Sequence, residues 1–212
     1  MIPIIRRYST KAITVNESFK STMSRISAQA MILTSGTGAK EVLALHGMTM
    51  SSVCSLSVYP TPLLQFNLHL PSYTSQALHE NKYLAIHLLP PTSQSVHLGK
   101  IFASGVKTSG KPTTNEDGEF FHEMTTPFTK LHQGNDWIFH TVKENINIPI
   151  LKNSERVLIC ETMKNFLVDD HEIWVVKVLD IKENEDYSNK TGGLLYFDRA
   201  FHKIGEKLIE TN

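Results

Sequence analysis

Alternating apolar and polar residues predict most of the strands in this chain. Between Leu63 and Leu70, apolar side chains occupy every second position, with Gln65, Asn67 and His69 between them, which predicts a strand with one buried face. Turn-forming residues bound several similar stretches. The strands predicted in this way comprise residues 28–34, 63–70, 83–88, 156–166, 172–181 and 194–197, with 41–45 as the hairpin partner of the first.

Helical spacing is confined to short stretches. In residues 16–25 the side chains of Phe19, Met23 and Ile26 recur at helical intervals after Asn16, a plausible N-cap. Short helices are also predicted for residues 74–81, 92–103 and 201–208. Residues 105–147 combine a polar, turn-rich stretch with aromatics of no clear period, which predicts a long loop that serves as a lid or a mobile insertion. The whole pattern predicts a mainly β fold with short helices (α+β), a β-barrel with helical decoration.

Composition excludes several classes of function. The 212 residues carry 21 basic and 21 acidic side chains, so there is no overall basic surface for nucleic acid. No apolar run approaches the roughly 20 residues of a membrane-spanning helix, which argues against membrane insertion. The ten histidines and two cysteines show no metal-ligand spacing, so no metal is expected.

The first residues differ in composition from the rest. Arg6, Arg7 and Lys11 precede the first acidic residue, Glu17, and hydroxyl residues accompany them. A basic, acid-poor leader of this kind is typical of a mitochondrial transit peptide. The order Arg6-Arg7-Tyr8 before Ser9 also resembles a matrix-peptidase site. We therefore expect residues 1–15 to be a transit peptide, residues 16–212 to be the folded domain and the location to be the mitochondrial matrix; the alternative is a disordered tail.

Two hydroxyl-rich points flank the strand at 63–70. Thr49, Ser51 and Ser52 follow Gly47 in an expected turn, where backbone and hydroxyl groups could meet the polar edge of a flat heterocycle. Ser72 and Thr74 open the next helix, where free N–H groups and the helix dipole favour a phosphate. A planar ligand with a phosphate tail needs this arrangement. Taken singly, each residue is better explained as a turn or capping residue than as a ligand contact.

In their order along the chain, these segments resemble the flavin reductase-like family, the FMN-binding split barrels. A strand ending in Thr34 precedes a Gly-Met-Thr-Met-Ser-Ser motif at 47–52, a Ser-Val-Tyr-Pro-Thr-Pro segment at 57–62 and Ser-Tyr-Thr at 72–74. Downstream, Asp170-His171 resembles the family's Gly-Asp-His motif, and 194–205 its closing strand and tail. The resemblance covers residues 16–103 and 150–205. Tyr73, Asp169 and the 105–147 segment depart from the family pattern.

The resemblance implies a cofactor, a set of ligands and an assembly. The cofactor is FMN, or FAD as the alternative, with NADH or NADPH as electron donor and a homodimer as the assembly. Because the cofactors carry the chemistry, no catalytic side chain is expected. The isoalloxazine edge would meet the 49–52 segment, the ribityl-phosphate would meet the helix start, and the nicotinamide would lie near His171. The implied cofactor-binding residues are Thr34, Thr49, Met50, Ser51, Ser52, Ser72, Thr74 and His171.

Three functions are compatible with these residues. The first is an oxidoreductase of flavin reductase type that transfers hydride from NADH or NADPH to flavin in mitochondria. The second is a non-catalytic split-barrel protein that acts as a mitochondrial assembly or interaction factor, since a fold outlasts its site. The third is a sensor that binds flavin without turnover, or a barrel for another phosphorylated heterocycle.

Overall fold

The computed structural model describes residues 14–38, 41–103 and 126–208, and these form a mainly β domain with three helices. The helices are α1 (Val15–Met23), α2 (Tyr73–Asn81) and α3 (Ser93–Ala103). The strands are β1 (Ala28–Gln29), β2 (Met31–Ser35), β3 (Gly47–Met50), β4 (Cys54–Ser57), β5 (Leu63–His69), β6 (Tyr83–Leu88), β7 (Trp137–Lys143), β8 (Ile146–Leu151), β9 (Arg156–Val168), β10 (His171–Glu183), β11 (Leu195–Phe197) and β12 (Ala200–His202).

Seven strands form the main sheet, in the order β3-β2-β6-β9-β10-β5-β4, with all neighbours antiparallel. The terminal strands β3 and β4 follow each other in the chain, so the sheet curls until its two ends meet. Ser52, between these strands, bonds across to β5: its hydroxyl donates to the Asn67 carbonyl and accepts from the Asn67 N–H, both at 3.2 Å. The sheet is therefore a split barrel.

Two of the three apolar cores in the described residues lie on opposite faces of this sheet. Phe66 and Leu68 of β5 are 2% and 1% exposed and pack inside the barrel, which confirms the alternation predicted for that strand. Ile32 of β2 faces the other core, under α3, where Phe102 and Trp137 are also buried. Neighbouring residues of one strand thus serve two cores, as the pleat requires.

Part of the predicted 105–147 loop is ordered strand. Residues 104–125 lie outside the described residues, but β7 and β8 form a hairpin that begins at Trp137. Phe128 and Trp137 are fully buried, with ring centroids 5.2 Å apart. The prediction of a long loop is wrong for this portion, because isolated aromatics pack into a core without showing a regular period.

Four local predictions are also wrong. Residues 41–45 do not form a strand: Val42–Ala44 is a 3-10 turn, and β3 is the hairpin partner of β2. The Gly-Met-Thr segment is therefore strand rather than turn, and Gly47 is needed because a Cβ there would lie 2.6 Å from the Leu33 carbonyl. The helical turn at 201–208 is absent among the described residues, where β12 occurs instead. Helix α1 is capped by Thr14 in a capping box with Glu17, not by Asn16.

His87 connects the barrel to the β7–β8 hairpin. Its ring lies in β6 and is completely buried. The Leu151 N–H donates to Nε2 over 3.1 Å, so Nδ1 carries the proton and donates to the Ile32 carbonyl over 3.0 Å. Burial lowers the pKa of His87 to about 4. A neutral imidazole thus joins strands β2, β6 and β8.

Two further observations apply to the described residues alone. None of their helices is long and apolar enough to cross a membrane. Within the same ranges, no cluster of His, Cys, Asp and Glu side chains has a metal-binding arrangement. Residues 1–13, most of the expected transit peptide, lie outside the description.

Candidate functional site

A cleft of about 640 Å³ lies beside the edge strand β3. It brings together three of the predicted cofactor-binding residues, Thr49, Met50 and Ser51. Its volume is within the range of small-molecule sites. Apart from Ala30, which precedes β2, the lining residues come from β3 and the residue after it, from α3 and from the β11–β12 hairpin. They are Ala30, Thr49, Met50, Ser51, Val96, Lys100, Ala103, Tyr196, Arg199, Ala200 and Phe201.

Close packing of β3, α3 and β12 shapes this cleft. The Thr49 hydroxyl donates to the Gly99 carbonyl of α3 over 2.8 Å, which leaves its oxygen as an acceptor. A Cβ on Gly99 would lie 3.0 Å from the Phe201 ring, so glycine allows α3 to approach β12. Val96, Lys100 and Ala103 are spaced by four and three residues and therefore share the helix face toward the cleft.

The charged side chains of the cleft are cationic. Lys100 and Arg199 are exposed lining residues, and no acidic side chain is among the described residues that line it. Arg199 occupies a tight turn in which Asp198 and Arg199 have φ of 46° and 62°, left-handed conformations that cost energy for residues with a Cβ. Two cations beside an apolar floor favour an anionic, partly planar ligand.

The start of α2 contains Ser72 and Thr74, outside the cleft lining. The Ser72 side chain caps the helix by accepting the Ser75 N–H over 3.2 Å, and Thr74 is buried. The exposed ring of Tyr73 is stacked on His46, with centroids 6.0 Å apart. Burial lowers the pKa of His46, so its imidazole is neutral at pH 7.

His171 stands at the start of β10, directly opposite His69 in β5. Asp170 lies between the two rings: its carboxylate is 2.5 Å from Nδ1 of His171 and 3.1 Å from Nε2 of His69. The hydrogen bond to His171, with smaller contributions from His69, lowers the pKa of Asp170. Asp169 in the preceding turn has a φ of 53°, a conformation that glycine adopts more readily.

Two predicted site residues are bonded to other parts of the protein. The Thr34 hydroxyl is fully buried and donates to the Pro149 carbonyl over 2.6 Å, which ties β2 to β8. The Ser52 hydroxyl forms its hydrogen bonds with the backbone of Asn67 in β5. Neither residue lines the cleft. The structure thus places six of the eight predicted residues at the cleft, the α2 start and the β10 start, and Thr34 and Ser52 outside these points. Contact of each residue with a cofactor stays a prediction.

Sequence reasoning missed several side chains near these points. Lys100 and Arg199 line the cleft, and the helical spacing of Lys100 with Val96 and Ala103 is the signal that could have identified the first. His69 lies next to His171 because β5 and β10 pair in that register. The alternation within β5 shows only that His69 is on the polar face of the strand. Glu172, next to His171, accepts a hydrogen bond from a residue 97 positions away in the chain.

An antiparallel barrel that is unpaired between the described strands β3 and β4, with a cleft at the edge strand β3, defines the chain as a split β-barrel protein. Residues 23–205 match the flavin reductase-like domain, and the chain belongs to that family. Solved structures of flavin reductases share this fold.

Three such structures illustrate the likeness. A flavin reductase domain protein from Arthrobacter is 22% identical, with a TM-score of 0.66 over 92% of this chain and 99% of that chain. The flavin reductase HpaC, solved in complex with NADP+, is 23% identical with a TM-score of 0.63 over 90% and 98% of the two chains. The NADH:FAD oxidoreductase of Streptomyces globisporus is 16% identical with a TM-score of 0.66 over 94% and 100%.

The cleft fits the flavin that the family binds. Ala30, Ala103 and Ala200 leave room for a flat ring, and two aromatic side chains, Tyr196 and Phe201, line the same space. Hydroxyl oxygens on β3 could meet the polar edge of that ring. The cations at Lys100 and Arg199 match an anionic ligand.

Proposed function

We propose that this protein is a flavin reductase that transfers hydride from NADH or NADPH to flavin, with FMN as the first candidate and FAD as the second. The observation that carries the proposal is the cationic cleft beside β3 in a chain of the flavin reductase-like family. Relatives described as an NADH:FAD oxidoreductase and as a flavin reductase bound to NADP+ support the same chemistry.

In this proposal the residues of β3 and α3 bind and orient the flavin ring. Thr49 accepts hydrogen bonds from the ring edge, because its own hydroxyl proton is directed to Gly99. Lys100 and Arg199 offset the negative charge that the flavin ring gains on reduction. A bound flavin supplies the electron-accepting ring, so the protein needs no acid–base residue for the transfer itself.

We assign the flavin phosphate to the start of α2 and the nicotinamide to the start of β10. Ser72 and Thr74 open α2, whose first-turn N–H groups and dipole favour a phosphate. At the β10 start, Asp170 accepts from Nδ1 of His171, which fixes that ring and leaves Nε2 to accept an N–H from a carboxamide. Holding the two rings in contact and excluding water is the protein's main contribution to the rate.

We also propose that the protein is a homodimer of the mitochondrial matrix. Apolar side chains are exposed after β4 and at the β9–β10 turn, including Val58 at 81%, Tyr59 at 89% and Leu167 at 71%. These exposed apolar side chains lie at the two ends of β5, and exposed apolar surface marks protein interfaces. A second copy is the partner that the family resemblance implies. The basic leader supports import, which a fusion of residues 1–15 to a fluorescent protein would test by its location in cells.

One observation favours a second function, the non-catalytic assembly factor. The hydroxyl protons of Thr34, Thr49 and Ser52 are all donated to carbonyl groups of the protein. A barrel that uses these hydroxyls for its own stability could have lost the ligand. Such a protein would be colourless and would bind other proteins instead.

Visible absorption spectroscopy distinguishes these functions. The purified protein, reconstituted with FMN and gel-filtered, is expected to retain a flavin spectrum that bleaches anaerobically with NADH or NADPH. Retained flavin that neither donor bleaches would identify the sensor, and no retained flavin would favour the assembly factor. The double variant Lys100→Gln/Arg199→Gln should bind reduced FMN, under anaerobic conditions, about tenfold more weakly, whereas Lys130→Gln, an exposed lysine outside the cleft, should not. Equal affinities would exclude the cationic cleft as the flavin site.

A further inference from the structure

Glu172 is a buried carboxylate beside the proposed nicotinamide residue. It follows His171 in β10, and its side chain is only 7% exposed. A buried carboxylate is costly unless hydrogen-bond donors surround it. The function proposed above does not use this group.

Three side chains donate to Glu172 from two other elements. On α2, the Ser75 hydroxyl bonds to Oε2 and the His79 Nε2 lies 2.8 Å from Oε1. On β9, the Asn165 amide also bonds to Oε1. The His79 ring rests against the Trp174 indole, with centroids 4.8 Å apart, so its position is fixed by packing as well.

These bonds join the first turn of α2 to the start of β10. Ser75 lies three residues after the N-cap Ser72, within the turn whose N–H groups are assigned to the phosphate. On its other side the same turn packs through Tyr73 on His46, which precedes β3. The start of α2 is thus held on one side by His46, which precedes β3, and on the other side by β10.

We propose that Glu172 is a positioning residue for ligand binding: by accepting from Ser75 it fixes the phosphate-binding turn of α2 relative to His171. This inference rests on the proposed function. Glu172 touches neither ligand, because it is buried beneath α2. It keeps the turn in position for the phosphate, at a constant separation from the point to which the nicotinamide is assigned.

The preference for FMN over riboflavin measures this role, because the two ligands differ only in the phosphate. Dissociation constants would be measured by flavin fluorescence quenching for the wild type and for Ser75→Ala. We expect Ser75→Ala to lower the preference for FMN about tenfold while riboflavin affinity changes less than about twofold. Gln76→Ala is the matched control, since Gln76 is on the same helix and its side chain bonds only to Glu80 among the described contacts.

A conservative change of the carboxylate should restore the preference. In Glu172→Gln the amide oxygen can accept from Asn165 and His79, and the amide nitrogen can donate to the Ser75 oxygen. The FMN preference of this variant should stay within about twofold of the wild type, whereas that of Glu172→Ala should fall as in Ser75→Ala. If Ser75→Ala does not fold, His79→Ala removes the other bond from α2 at a half-exposed position.

The outcomes separate the inference from the function on which it rests. A wild type that binds flavin without preferring FMN would refute the phosphate site at α2, and this inference with it. A wild type that prefers FMN, with the same preference in Ser75→Ala and Glu172→Ala, would overturn the positioning role alone. Loss of the preference in Glu172→Gln would also overturn it, because hydrogen bonding would then not be the cause.

Discussion

Protonation of His87 should destabilise the fold as the pH falls below 6.5. The ring is completely buried, accepts from the Leu151 N–H and donates to the Ile32 carbonyl. A second ring proton would face the Leu151 N–H and break that bond. Because the pKa is about 4 in the folded state and the ordinary value is 6.5, the unfolded chain binds the proton first as pH falls.

The size of the effect follows from the two pKa values. Each unit of difference corresponds to about 1.4 kcal/mol, so the full loss between pH 6.5 and pH 4 is about 3 kcal/mol. Above pH 6.5 the ring is neutral in both states, and His87 contributes no pH dependence there. A loss of this size is a large part of the stability of a typical domain.

Urea unfolding, followed by the fluorescence of Trp137 and Trp174, measures this dependence between pH 7.5 and pH 4. His87→Gln lacks the titrating ring, so the difference between its curve and that of the wild type isolates His87 from the other histidines and the carboxylates. The difference in the free energy of unfolding between the wild type and His87→Gln should shrink by about 3 kcal/mol from pH 7.5 to pH 4. His97→Gln, at an exposed position of α3, is the control. Parallel curves for the wild type and His87→Gln would refute the buried neutral imidazole.

The remaining predictions concern the ligand points and the sheet. Thr49→Trp should fill the cleft and abolish flavin retention, measured as the ratio of flavin to protein absorbance, with unchanged secondary structure by circular dichroism; unchanged flavin content would exclude the cleft. His171→Ala should raise the KM for NADH or NADPH while the Kd for FMN stays the same, and an unaltered KM would exclude its role. Gly47→Ala should lower the free energy of unfolding by about 2 kcal/mol, because its Cβ would crowd the Leu33 carbonyl, whereas Gly205→Ala has open space and should have no effect on urea unfolding.

The parts of the fold with regular sequence patterns were predictable. The bounds predicted for β6 agree with the structure, and the bounds of β5 and α3 differ from it by one residue each. Alternation with one buried face determines the strand, and Pro90 and Pro91 separate β6 from α3. Strand β3 was missed because its glycine and threonine are also turn residues, and only pairing with β2 makes them extended.

The site could be predicted in part for the same reason. Thr49, Met50 and Ser51 are consecutive, so a local motif finds them together. The bond between Ser75 and Glu172 joins residues 97 positions apart, and no local pattern carries that information. Arg199 belongs to a hairpin turn between two three-residue strands, which are too short for periodicity to detect.

The closure of the barrel at Ser52 places a seam next to the proposed ligand site. Strands β3 and β4 end the sheet, and the described backbone pairing is interrupted between them. A ligand bound in the cleft would contact β3, one side of this seam, and would stabilise that edge strand. Amide hydrogen exchange in β3 would then slow on ligand saturation more than in the central strands β6 and β9. Ligand binding would thus stabilise the barrel at its seam. In cells that hold little flavin, the barrel would be less stable, and proteases would cleave it at this seam first.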